Sequence, residues 1–190
     1  MFILPERRRV LETVKKITAG NTEAVRITSA AQQAKNDKRA LARLELLLAE
    51  NYTGRNLFFT LTYRDAALPS RREGAAALVS RFLLELRKHH TARGLALKYV
   101  CTTEGQPGAA RLHHHLVINT AGQDIETIRG MWPFGDVLDA EQVNETDYAA
   151  LAVHITRENT EGRPIGARMW SGSRNLKQPA GRSRKAISGA

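Results

Sequence analysis

The chain carries 29 Lys and Arg against 19 Asp and Glu in 190 residues, a formal net charge of +10 with an isoelectric point near 10.3. At 42% apolar and 25% charged residues it is neither disordered nor fibrous, and its single cysteine, Cys101, excludes a disulfide framework and a thiolate zinc site. The positive surplus points to a polyanionic partner, nucleic acid above all.

The first apolar stretch stops at Pro5, before Arg7, Arg8 and Arg9, and no run nears the roughly 18–20 apolar residues of a membrane span. A cytoplasmic protein with no membrane partner is therefore expected. Over 30–52, Leu41, Leu44, Leu47 and Leu48 recur at spacings of three and four and predict a basic helix with one buried stripe, closed by Gly54. The aromatic and β-branched run 57–63 predicts a strand, and Arg64 and Asp65 begin a loop. Residues 71–92 place Ala77, Leu78, Phe82, Leu83 and Leu86 opposite Arg81, Arg87 and Lys88, the pattern of an amphipathic helix ended by Gly94. A strand over 95–104, a turn-rich connection over 105–111 and a strand over 112–119 predict an antiparallel pair.

A short helix over 124–131 follows, then Pro133 and Gly135 break the chain before a short strand at 136–138. Asp147 is a plausible N-cap for a helix reaching about Arg157. The last thirty residues are rich in Gly, Pro, Arg and Ser and read as an irregular basic tail. No internal repeat is present. The expected fold is α+β, an antiparallel sheet with helices packed on one face. Its expected organisation is a basic helical N-terminal segment 1–50, a central domain 51–160 and a tail 161–190.

Chemistry concentrates in the strand 112–119. Side chains alternate across a strand, so His113 and His115 share one face, about 7 Å apart, and His114 takes the other. Two imidazoles at that spacing can converge on one divalent ion. Glu104 ends the partner strand, where a hairpin brings its carboxylate beside the pair. The result is a two-histidine, one-carboxylate site with open positions for water or a phosphate oxygen. The bland alternative is three packed or surface histidines.

Phe58, Phe59, Thr60, Leu61, Thr62 and Tyr63, then Glu104 and Gly105, then Leu112, the three histidines and Leu116, then a helix with Tyr148 and His154, follow one another in a familiar order. Over about 51–179 the chain resembles the HUH endonucleases, specifically the rolling-circle replication initiators of bacterial plasmids and phages. The segment 168–179 is also similar to the stretch after the tyrosine helix in short relatives. The resemblance implies a ferredoxin-like, HUH-type sandwich and a divalent ion, Mg²⁺ or Mn²⁺, on His113, His115 and Glu104. It further implies sequence-specific nicking and joining of single-stranded DNA at a replication origin through a tyrosine-linked 5′-phosphate, with host helicase and polymerase as partners. Because a covalent bond conserves the phosphodiester energy, rejoining needs no ATP. No Gly-rich phosphate loop marks a helicase domain.

The chain departs from the family pattern in its last helix. The tyrosine motif usually reads Tyr-x-x-Lys, and the best overlay sets His154 at the nucleophile and Arg157 at the lysine. Tyr148 lies six residues upstream, roughly 240° around a helix from His154. Three readings stay open: Tyr148 as a displaced nucleophile, His154 as nucleophile or phosphate or metal contact, or a noncatalytic DNA-binding relative. A metal-dependent hydrolase of small phosphates uses the same ligands but leaves the +10 charge unexplained.

Basic residues at both ends suit phosphate contacts: Arg7, Arg8, Arg9, Lys15 and Lys16, and later Arg168, Arg174, Lys177, Arg182, Arg184 and Lys185. Trp170, between Arg168 and Arg174, either stacks on an unpaired base or anchors the tail in the core. Thr60 and Thr62 are candidates for the DNA-binding face, with Arg64 beside them. Asp65 is a candidate third acidic ligand.

Overall fold

The computed structural model describes residues 30–106, 110–120, 125–157 and 168–179. Helix α1 covers 30–51. It is followed by β1 (Leu57–Leu61), α2 (Arg72–Ala92), β2 (Tyr99–Gln106), β3 (Ala110–Ile118), α3 (Ile125–Met131), β4 (Val137–Gln142), α4 (Tyr148–His154) and β5 (Ser171–Gly172). Among the described residues five strands form one sheet in the order β4-β1-β3-β2-β5, with every neighbour antiparallel. The class is α+β, as the order of elements predicts.

Helices cover both faces of the sheet rather than one. All five residues of β1 are buried. Leu57, Phe59 and Leu61 of β1 join Leu116 and Ile118 of β3 under α2 and α3, packing with Phe82, Leu86, Ile128 and Trp132. Phe58, Val100 and Val117 face the other way and pack under Leu44, Leu47 and Leu48 of α1 and Ala152 of α4. Phe58 of β1, Val100 of β2 and Val117 of β3 thus make a second apolar patch on the face opposite Leu57, Phe59 and Leu61, and uncovered they would stand in water at about 1.5–3 kcal/mol each.

Smaller differences have local causes. The buried stripe of α2 is Ala75, Val79, Phe82, Leu83, Leu86 and His90. Ala77 lies off it and is exposed, and Leu78 is half-buried. β2 begins at Tyr99 instead of residue 95, because Gly94 (φ 74) turns the chain and Leu95 N–H still donates to His90 O at 3.0 Å. β4 is longer than expected and irregular opposite Phe58 and Thr60, where Asp139 takes a positive φ of 48°. α4 ends at His154, and Asp147 caps it by accepting from Ala150 N–H at 2.8 Å. Within the tail, β5 adds to the open edge of β2, and Ser173 N–H donates to Tyr99 O at 2.9 Å. Among the described residues no helix is long and apolar enough to cross a membrane.

Candidate metal centre

The ladder fixes which side chains meet. Thr60 and Thr102 flank His115, and Glu104 lies across from His113, so alternation puts all five on the α1/α4 face. Glu104 Oε2 lies 3.5 Å from His115 Nε2 and 3.9 Å from His113 Nε2. One ligand atom from each of the three residues falls within 4.8 Å of the others. Glu104 is 1% exposed and His115 7%, while His113 is half-buried.

The hydrogen bonds prepare both histidines for a metal. His113 Nδ1 is 3.0 Å from Arg111 O, a carbonyl that can only accept, so Nδ1 donates there and Nε2 is the nitrogen turned toward Glu104. His115 Nδ1 is 3.1 Å from Thr60 Oγ1, and Nδ1–H donating there gives the same tautomer. Glu104 Oε1 is buried with no hydrogen-bond partner. A buried carboxylate with an unpartnered oxygen is costly unless positive charge joins it, and two nitrogens plus one oxygen suit a first-row divalent ion with positions left open. Thr60→Val keeps the shape and removes the hydroxyl. Isothermal titration with Mn²⁺ is expected to show affinity weakened roughly 10–100-fold, with the circular dichroism spectrum unchanged.

Gly105 sets the carboxylate in place. Its φ is +85°, the ladder shifts register between Glu104 and Gln106, and an added Cβ would sit 2.3 Å from Arg111 O. Gly105→Ala is expected to lower stability to urea by about 1–3 kcal/mol and to weaken metal binding, because Glu104 must move with the strand end.

On the opposite face His114 is a structural strut. It is fully buried, with Tyr63 Oη 2.6 Å from Nε2 and Thr103 Oγ1 2.9 Å from Nδ1. Burial, with His113 adding to it, pulls its pKa down to about 3. Burial likewise pushes the Cys101 thiol up to about 12, which leaves it inert.

Helix α4 turns its two candidate nucleophiles to different neighbours, as their angular separation requires. The His154 ring centroid is 5.1 Å from that of His115 and 5.4 Å from that of Phe58, whose ring also stacks on His115 at 5.6 Å. His154 is exposed. Its basicity is lowered by burial first, then by His115 and Arg157, against smaller opposing effects of Asp139 and Glu104. Tyr148 is half-buried and its hydroxyl donates to Tyr52 O at 2.5 Å, at the C-terminal end of α1. Burial and Glu145 raise its pKa. Arg157 follows α4 and is exposed.

The remaining candidates scatter. Thr60 is buried against His115, as above. Thr62 is half-buried and donates to Asp136 O at 3.1 Å. Arg64, Arg168, Arg174 and Lys177 are exposed, and Lys177 pairs with Glu50 at 2.6 Å. Trp170 is half-buried, with its indole N–H donating to Ala40 O at 3.1 Å. Asp65 does not join the cluster; it pairs with Arg111 at 2.8 Å. Arg7, Arg8, Arg9, Lys15, Lys16, Arg182, Arg184 and Lys185 lie outside the described residues.

Sequence reasoning passed over Phe58, which shelves both His115 and His154, and Thr102, whose buried hydroxyl beside His115 has no hydrogen-bond partner. Period-2 alternation in β1 and β2 carried a signal for both. Asp139 had none, because its bulge depends on the register of β4.

The chain has no match among curated proteins and none among solved structures. The family model for replication-associated proteins of the ORF2 type matches residues 56–157, from the entry of β1 to the end of α4 and so over every residue of the metal centre. That match spans more than half of the 190 residues, and the chain belongs to this replication-associated protein family.

Proposed function

We propose that the protein is a metal-dependent, HUH-type endonuclease that nicks single-stranded DNA at a replication origin and rejoins it through a covalent protein–DNA intermediate. The observation that carries this reading is the meeting of Glu104, His113 and His115 with His154 on one sheet face of a strongly basic replication-associated chain.

Glu104, His113 and His115 would hold Mg²⁺ or Mn²⁺. Such an ion supplies positive charge to the non-bridging oxygens of the scissile phosphate as charge builds there. His154 is the nucleophile in this reading, and Tyr148 is a structural residue whose hydroxyl is already engaged by Tyr52 O. The lone-pair nitrogen of neutral His154 forms an N–P bond while the P–O3′ bond breaks. The leaving 3′ oxygen takes a proton from water, and the other ring nitrogen releases its own. The products are a phosphoramidate-linked 5′ end and a free 3′-OH that a polymerase can extend. Attack of a 3′-OH on the same phosphorus reverses the step and reseals the strand. Arg157 sits beside His154 to offset phosphate charge.

The test is incubation with Mn²⁺ and labelled origin-derived single strands, read on a denaturing gel. A cut strand with protein-linked product supports the enzyme. Bound but uncut strands on every substrate would make this a noncatalytic DNA-binding relative.

A further inference from the structure

A groove of about 640 Å³ runs between α1 and the segment 168–178. Among the described residues three arginines line it, Arg39 and Arg43 from α1 and Arg168 from the far wall, against one acid, Asp37. Asp37 already accepts from Gln33 Nε2 at 2.8 Å, and Arg43 donates to Gln178 Oε1 at 2.7 Å. Among the described residues, Arg39 and Arg168 have no hydrogen-bond or ion-pair partner, and both are exposed. Trp170, tied to Ala40 O, holds the two walls together.

Both walls of the groove run along β2 in the direction of Glu104. β5 pairs antiparallel with β2, Val100 opposite Gly172 and Cys101 opposite Ser171, so each step back from Ser171 advances toward Glu104. The chain before Ser171 therefore runs in the direction of the Glu104 end of β2, and Arg168 lies three residues along it. α1 has the same bearing: Asn51 meets Lys98 before the start of β2, whereas Ala40 meets Trp170, so the half of α1 that carries Arg39 points toward the metal end. Leu47 of α1 and Trp170 pack with Phe58 and Val117 on the sheet face that bears His113 and His115.

We propose that this groove holds the sugar–phosphate backbone of the single strand next to the scissile phosphate, with the guanidinium groups of Arg39 and Arg168 on its phosphates. The inference rests on single-stranded DNA being the substrate. Guanidinium forks match phosphate oxygens in pairs, and a basic groove tracking a strand is the general device of single-strand binding. A strand held there is fixed in direction and register before it reaches His154.

The experiment is fluorescence anisotropy with labelled oligo(dT) in EDTA, across a salt series, using the 190-residue chain. Arg39→Ala and Arg168→Ala are each expected to weaken binding and flatten the log affinity against log salt slope by about 0.7, and the double variant by about 1.4. Arg81→Ala, an exposed arginine of α2 in the opposite layer, is expected to leave the slope unchanged. Groove variants with the wild-type slope, or an equal effect from Arg81→Ala, would overturn the groove while leaving the DNA reading standing. Failure of the wild-type chain to bind oligo(dT) would overturn both. Displacement of oligo(dT) by dTMP at equal nucleotide concentration would make the groove a mononucleotide site and end the strand assignment.

Discussion

Glu104→Gln is expected to abolish metal binding and with it strand cleavage, without unfolding the protein. The side chain is almost fully buried, one of its oxygens has no partner and the other faces only the His113 and His115 rings, so its charge is best matched when a divalent cation joins the three. Glutamine has the same shape and no charge. In chelator the variant should melt no lower than the wild type. Added Mn²⁺ separates them: at about 100 times the dissociation constant, binding adds about 2.7 kcal/mol. For a chain of this size that raises the wild-type melting temperature by about 5–10 °C, and the variant by essentially nothing. Scanning calorimetry with and without Mn²⁺ reads both effects. Equal Mn²⁺ shifts in the two proteins would place the metal elsewhere.

His154→Ala is expected to lower cleavage by roughly 10³-fold or more and to remove the covalent adduct, while metal binding persists. Tyr148→Phe should leave cleavage within a few-fold of wild type, because it deletes only the hydrogen bond to Tyr52 O, worth about 1 kcal/mol of stability. His154→Tyr should keep activity and convert the linkage to an acid-stable phosphotyrosine, since the ring at this position already meets His115. Single-turnover cleavage followed by acid treatment distinguishes the linkages. Full activity in His154→Ala together with loss in Tyr148→Phe would reverse the two roles.

The centre of this molecule was legible because it is local. The alternation of His113, His114 and His115 and the hairpin that returns Glu104 to them need only strand geometry and a short loop, and the ladder pairs Glu104 with His113 directly. The different directions of Tyr148 and His154 follow from helix pitch alone. What was not legible depends on contacts distant in sequence. Thr60 reads as a candidate for the DNA-binding face until β1 is set beside β3, across 55 residues, and it becomes the partner of His115 Nδ1. The two-sided helix cover required noticing that Phe58 puts an aromatic ring on the face opposite Leu57, Phe59 and Leu61. β5 could not be foreseen from a stretch rich in Gly, Arg and Ser, because two residues gain their structure from the open edge of β2 rather than from their own propensity.

The most direct test of the central assignment is intact-mass and peptide mass analysis of the chain after incubation with Mn²⁺ and origin-derived single-stranded DNA. The expected product is a chain heavier by the fragment downstream of the cut, joined through its 5′-phosphate and acid-labile, with the modification on the peptide that carries His154 and absent when EDTA replaces Mn²⁺. An unmodified chain alongside cut DNA, or a modification that forms equally well in EDTA, would contradict it.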